Sequence, residues 1–171
     1  TSASAALKKM TRANFVSGIG GANTPAFLVK FSANVTNQAG DSAVKAPYNT
    51  EIYDTDNAYD NSSNYRFTVP SGKGGKYHIF MHQHIRDEGQ DDNYSRLSAR
   101  IYKNGSFYTE YQRAFPNNSN YYAGDLSNYV NIAIEMSLSA GDYIEFYIVV
   151  YNTNFKFMEE GSYAGGYRLI E

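Results

Sequence analysis

Tyr129-Val130-Asn131-Ile132-Ala133-Ile134-Glu135-Met136-Ser137-Leu138, the turn Ser139-Ala140-Gly141-Asp142, and Tyr143-Ile144-Glu145-Phe146-Tyr147-Ile148-Val149-Val150-Tyr151 decide the fold. In the first segment Val130, Ile132, Ile134, Met136 and Leu138 alternate with Tyr129, Asn131, Ala133, Glu135 and Ser137. That period of two is a strand with one buried face and one wet face. In the second segment Ile144, Phe146, Ile148 and Val150 are matched on the opposite face by Tyr143, Tyr147, Val149 and Tyr151, with Glu145 alone polar. Both faces of this strand want cover. A sandwich supplies one layer, and without helices the second comes from a loop or another subunit. Another subunit is the expectation.

The same period extends outward. Leu97, Ala99 and Ile101 share a parity, and Lys103-Asn104-Gly105-Ser106 then supplies an Asn-Gly pair whose positive φ angles suit a tight hairpin, with Phe107 to Gln112 as the return strand. Phe27, Val29 and Phe31 alternate in the same way near the start. From Pro25 on no run has helical spacing, so residues 25–171 read as one all-β antiparallel sandwich of two sheets. Residues 1–24 differ, with a small-residue opening, a basic cluster (Lys8, Lys9, Arg12) and Gly18, Gly20 and Gly21. They read as an arm or linker.

Composition narrows the function. Hydrophobic residues at 42% and charged residues at 19% exclude a disordered chain. The longest apolar stretch is broken by Glu145 and is too short to cross a bilayer, so membrane insertion is not expected. A formal net charge of -2 gives no positive field for nucleic acid. The absence of cysteine removes disulfides, thiolate metal sites and cysteine nucleophiles. No G-x-S-x-G elbow, H-E-x-x-H helix or phosphate-cradling glycine loop occurs, so the chain is not expected to be an enzyme. Its 17 tyrosines and 10 phenylalanines suit strands and interfaces, where a ring covers apolar area and a hydroxyl tolerates water.

The passage Asn64-Tyr65-Arg66-Phe67-Thr68-Val69-Pro70, followed by Gly75-Lys76-Tyr77, resembles the "F-x-V-P … G-x-Y" stretch of the globular head of complement 1q and its tumour-necrosis-factor relatives. Phe31-Ser32-Ala33, Ala99 to Gly105, Leu138 to Ile144 and Gly165-Gly166-Tyr167-Arg168-Leu169-Ile170 are similar to further family stretches and fall in the family's order. The stretch Tyr48 to Asp60 and the Gly-Tyr-x-Leu-Ile ending look more like the versions met in bacteriophage and other viral structural proteins. The resemblance implies a jelly roll of about ten strands assembled as a homotrimer about a three-fold axis. Combined with the doubly apolar strand, it makes Tyr77, Ile79, Tyr143, Tyr147, Val149, Tyr151 and Tyr167 the expected trimer interface.

His78, His82 and His84 share one strand face, and His82 with His84 forms an H-x-H pair able to place two imidazoles on one metal ion. The competing reading is a row of polar rings packed at the sheet surface or near the trimer axis. Asp54, Asp56 and Asp60 have the oxygen-rich look of a calcium loop, although the EF-hand template fails at Tyr59 and Tyr65, and solvated loop charge is the simpler account. Calcium is the one cofactor considered. Asn117, Asn118, Asn120, Tyr121 and Tyr122, in the loop Phe115 to Tyr122, combine stacking faces with amides and form the candidate partner-binding loop.

The expected function is therefore a non-enzymatic virion module, either a host-receptor-binding fibre or tail knob or a capsid decoration protein. Its arm would hold other virion proteins, and its exposed loops a host glycan or protein. The alternatives are an extracellular complement- or necrosis-factor-like ligand and a calcium-dependent carbohydrate-binding jelly roll.

Overall fold

The computed structural model describes residues 23–88, 95–115 and 128–170. Thirteen strands follow in order: β1 (Ala26–Lys30), β2 (Val35–Gln38), β3 (Val44–Lys45), β4 (Thr50–Asp54), β5 (Tyr59–Asp60), β6 (Arg66–Thr68), β7 (Gly75–Asp87), β8 (Arg96–Lys103), β9 (Ser106–Ala114), β10 (Asn128–Leu138), β11 (Tyr143–Tyr151), β12 (Phe155–Phe157) and β13 (Tyr163–Ile170). The count exceeds ten because short segments such as β3 and β5, two residues each, extend the edges of the longer ladders.

Every pairing is antiparallel, and the strands form two sheets. In the first, β7 is central: β10 runs along one edge from Gly75 to Ile85, while β13 and then β12 take the other edge. Beyond β13 come β1 and β4, and beyond β12 comes β2. The second sheet runs β5, β6, β11, β8, β9, with β3 also against β11. The sequence dictates the turns between these strands. Asn104 and Gly105 both adopt positive φ, 52° and 75°, as the β8–β9 hairpin requires. Between β10 and β11 the Asp142 N–H donates to the Ser139 carbonyl and Gly141 takes φ 88°, a value that side chains disfavour.

The two inner faces meet in an aromatic core. Phe27 stacks on Phe67 at 4.5 Å and on Tyr59 at 5.4 Å, and Phe31 stacks on Tyr48 at 4.5 Å. Each fully buried ring of this kind stabilises the fold by roughly 1.5–3 kcal/mol. The alternation in β10 holds, with Val130, Ile132, Met136 and Leu138 buried and Asn131, Ala133, Glu135 and Ser137 exposed. In β11 the side chains of Ile144, Phe146, Ile148 and Val150 enter this core.

Strand β9 does not fit the sandwich cleanly. Its register sets Thr109, Tyr111 and Arg113 opposite the inward residues Ile101, Ala99 and Leu97 of β8. Yet Tyr111 is 53% exposed, with Phe107 at 53% and Tyr108 at 49%. The strand overhangs the core at the edge of its sheet, on the side where β10 borders the other sheet.

Candidate functional site

Strand parity on β7 sends His78, Phe80, His82 and His84 to the outward face of the first sheet. On one flank Tyr129 lies opposite His84 and Glu135 opposite His78. On the other, Tyr163, Gly165 and Tyr167 lie opposite His82, Phe80 and His78. The rings join into one ribbon. His84 stacks on Tyr129 at 4.5 Å, Tyr129 on His82 at 5.2 Å, and His82 on Tyr163 at 5.1 Å. Phe80 meets Tyr163 edge-on at 6.3 Å, His78 follows at 5.9 Å, and Tyr167 ends the ribbon 5.4 Å from His78. All 3 histidines of the chain lie in it.

Gly165 explains how the ribbon crosses β13. A Cβ there would come within 2.7 Å of the Phe80 ring and 2.7 Å of the Phe27 carbonyl oxygen, so the ring lies directly over bare backbone. This close approach opens a groove of about 840 Å³ beside Phe80, floored by Leu28 and flanked by Ile52, Tyr53 and Tyr163, with the turn Met158 to Ser162 as one wall. Ile52 is 54% exposed, Tyr53 46% and Tyr163 40%, and the charged residues lining the groove are Glu160 and the Lys30–Glu159 ion pair at 3.9 Å. Contiguous exposed apolar surface of this kind marks a binding surface.

His84 fixes the turn that walls the groove. Its Nδ1 lies 2.8 Å from the Glu160 carbonyl oxygen, which can only accept, so Nδ1 is assigned the proton. Its Nε2 is buried, with no hydrogen-bond partner among the described residues. Burial, followed by the positive charges of Arg86 and His82, outweighs the Glu160 carbonyl and carboxylate and holds the imidazole below its ordinary pKa. The His84 backbone N–H donates to the Ser162 hydroxyl at 3.1 Å, and the Met158 N–H donates to the His84 carbonyl at 3.1 Å. Behind them the Gln83 amide donates to Ser162 at 2.7 Å while accepting from the Tyr48 hydroxyl at 2.7 Å.

The structure redraws the expected interface. Tyr77 and Ile79 point into the core with no exposure, so they offer another subunit no surface. Burial raises the Tyr77 phenol to about 12. Tyr143, Tyr147, Val149 and Tyr151 do face outward, but on the second sheet, where the chain covers them itself. Arg66 sits 4.3 Å above the Tyr143 ring, Lys45 5.7 Å from Tyr147 and Arg96 4.5 Å from Tyr151. Tyr102 packs on Tyr147 at 4.2 Å, and Val149 is only 2% exposed. Tyr167 alone of the seven lies in the ribbon. The residues missed were Phe80, Tyr129 and Tyr163, and the available signal was the pair Gly165-Gly166 in an otherwise strand-like closing segment.

The metal candidates are not gathered into a site. Among the described residues no group of three or more His, Asp or Glu side chains could hold an ion. The Asp60 carboxylate accepts from the backbone N–H groups of Ser62, Ser63 and Asn64 and from the Asn64 amide, which hold its pKa well below the usual range. Asp54 accepts from the N–H groups of Asp56 and Tyr59, and Asp56 pairs with Lys73 at 3.7 Å. These are turn locks. His82 and His84 both stack on Tyr129, and the Nδ1 of His84 is already committed to Glu160. Asn117, Asn118, Asn120, Tyr121 and Tyr122 lie outside the described residues, as do residues 1–22 of the arm.

No protein-family model and no curated protein sequence matches the chain. Solved structures do. Murine APRIL, in a crystal at pH 5.0, superposes with a TM-score of 0.59 at 13% identity, over 84% of this chain and 98% of that one. The globular domain of zebrafish complement 1qA gives 0.56 at 14%, over 86% and 98%. Eiger TNF from S. frugiperda gives 0.54 at 14%, over 85% and 92%. The fold is the necrosis-factor and complement 1q jelly roll. At these identities the likeness is one of fold alone.

Proposed function

We propose that this protein is a non-enzymatic, homotrimeric binding module displayed on a virus particle as a receptor-binding knob or capsid decoration. One observation carries the trimer. Among the described residues two exposed aromatic surfaces lie on opposite sides of the first sheet. The groove of Leu28, Ile52, Tyr53, Phe80 and Tyr163 sits on the β1–β4 side of the first sheet, and the overhanging strand β9 with Tyr108 and Tyr111 sits on the β10 side. A contact between two different surfaces is heterologous and repeats until a ring closes. Seating β9 of one copy in the groove of the next covers both patches at once and shields an exposed edge strand from uncontrolled pairing. The resemblance to complement 1q and necrosis-factor heads supports a ring of three.

The viral location is supported by the resemblance of Tyr48 to Asp60 and of the closing Gly-Tyr-x-Leu-Ile to viral structural versions of the domain. A second reading, an extracellular ligand, is supported by the solved structures it is similar to, which include a protein described as a TNF. Light scattering tests the assembly, with a mass of three chains expected at micromolar concentration; a stable monomer overturns it. Antibody labelling of particles from the source virus tests the location. Unlabelled particles, with the protein free in the medium, favour the ligand reading.

A further inference from the structure

The buried end of the aromatic ribbon carries more than packing. Neutral His84 clamps the Met158 to Ser162 turn through its Nδ1–H and its backbone N–H, and that turn is the groove wall. A second proton has only Nε2 to go to, and that atom is buried without an acceptor among the described residues. We propose that His84 is an acid-operated latch: in acid its protonation frees the groove wall and so releases the β9 strand of the neighbouring copy. The release of a neighbour rests on the trimeric reading above, whereas the latch belongs to the single chain.

The surroundings of His84 decide the direction. On β7 it is flanked by His82 and Arg86, and Lys156 of β12 pairs opposite Arg86, so its own strand and the next one bring positive charge. From β10 comes the ring of Tyr129, whose backbone carbonyl accepts from Arg113. From the turn comes Glu160, whose carboxylate opposes the effect, while Glu159 pairs with Lys30. His82 lies between the ring faces of Tyr129 and Tyr163, and the Glu135 carboxylate lies 3.8 Å from His78.

The sign follows from linkage. The His84 pKa in the closed state is lowered from 6.5, so an open turn binds the proton more readily than a closed one. The latch is fully engaged above the ordinary histidine pKa. It weakens as pH falls from there to the lowered value, by up to about tenfold in the closed-to-open ratio per pH unit.

Hydrogen exchange, normalised to intrinsic rates, and sedimentation from about pH 7.5 to about pH 4.5 test this on wild type, His84→Gln and His82→Gln. The glutamine amide at position 84 keeps a donor for the Glu160 carbonyl but does not titrate. In wild type and His82→Gln, protection of residues 158–162 is expected to fall several-fold with acid and the trimer to dissociate over the same range. In His84→Gln both should stay constant. Constant protection in wild type, or the same pH dependence in His84→Gln, overturns the latch. Acid-loosened protection in a trimer that stays intact overturns the release. A chain that is monomeric throughout but still loosens in acid breaks the trimeric reading and leaves the latch standing. If His84→Gln does not fold, the wild-type His84 ring proton resonance must titrate together with the amide shifts of the turn, and independent midpoints overturn the proposal.

Discussion

The outward faces of the two sheets are both rich in tyrosine, yet they solve opposite problems. On the second sheet the rings of Tyr143, Tyr147 and Tyr151 lie under Arg66, Lys45 and Arg96, and Glu145 and Glu110 pair with Lys45 and Arg100. Ring, cation and carboxylate alternate, so the face completes itself and presents charge to water. On the first sheet the ribbon from His84 to Tyr167 has rings on rings, and its flank opens into an apolar groove. The tyrosines of the second sheet are thus capped by the chain's own cations, whereas the ribbon of the first sheet stacks ring on ring.

The comparison breaks most visibly at Lys45. Glu145 is buried, with 7% of its side chain exposed, and burial pulls the Lys45 ammonium down less than its hydrogen bond and charge contact with Glu145 push it up. Lys45→Ala strands that carboxylate and is expected to destabilise the chain by about 3 kcal/mol in calorimetry, with the double replacement by apolar residues recovering most of it. A neutral Lys45→Ala would mean that the second face is not self-completed.

Phe80→Ala strikes the other face. Removing the ring over Gly165 is expected to weaken assembly by about 2 kcal/mol, roughly thirtyfold, in a sedimentation series. Unchanged association would remove the groove as the seat. Arg96→Ala, on the self-completed face, should cost about 0.5–1 kcal/mol of stability through the lost contact with Tyr151 and leave association unaffected. Dissociation of Arg96→Ala would reverse the roles of the two sheets.

Acid separates the faces with the smallest effect. Asp142, held at about 2 by hydrogen bonds from Asn104 and Lys103, is depressed from 3.8, so its contribution is intact above 3.8 and fades as pH falls toward 2. The first face, through His84, responds already below 6.5. Hydrogen exchange followed down an acid series should therefore show the β10–β11 turn at Asp142 outlasting the His84 turn.

Much of this was legible in the residues. Alternation gave β10 its buried face, and Asn104-Gly105 gave the hairpin, because both depend on local φ and ψ preferences and a period of two. The candidate interface was legible only in part. Parity shows that Tyr77 and Ile79 share one face of β7 and His78, Phe80 and His82 the other, and the larger apolar set was placed outside. The core took it instead, and the imidazoles and Phe80 went outward. For β11 the period correctly reported two apolar faces, but the caps on the second face come from β3, β6 and β8, far apart in the chain.

By itself, then, the sequence determined an all-β chain, its main strand periods, its tight turns and its fold family, since each is a local property or a short motif. Only the tertiary structure decided which face of each strand met the core, that Gly165 lies beneath Phe80, that strand β9 overhangs, and that three histidines form one ribbon. Those outcomes depend on which strands become neighbours, and register between distant strands is fixed by packing the whole core at once.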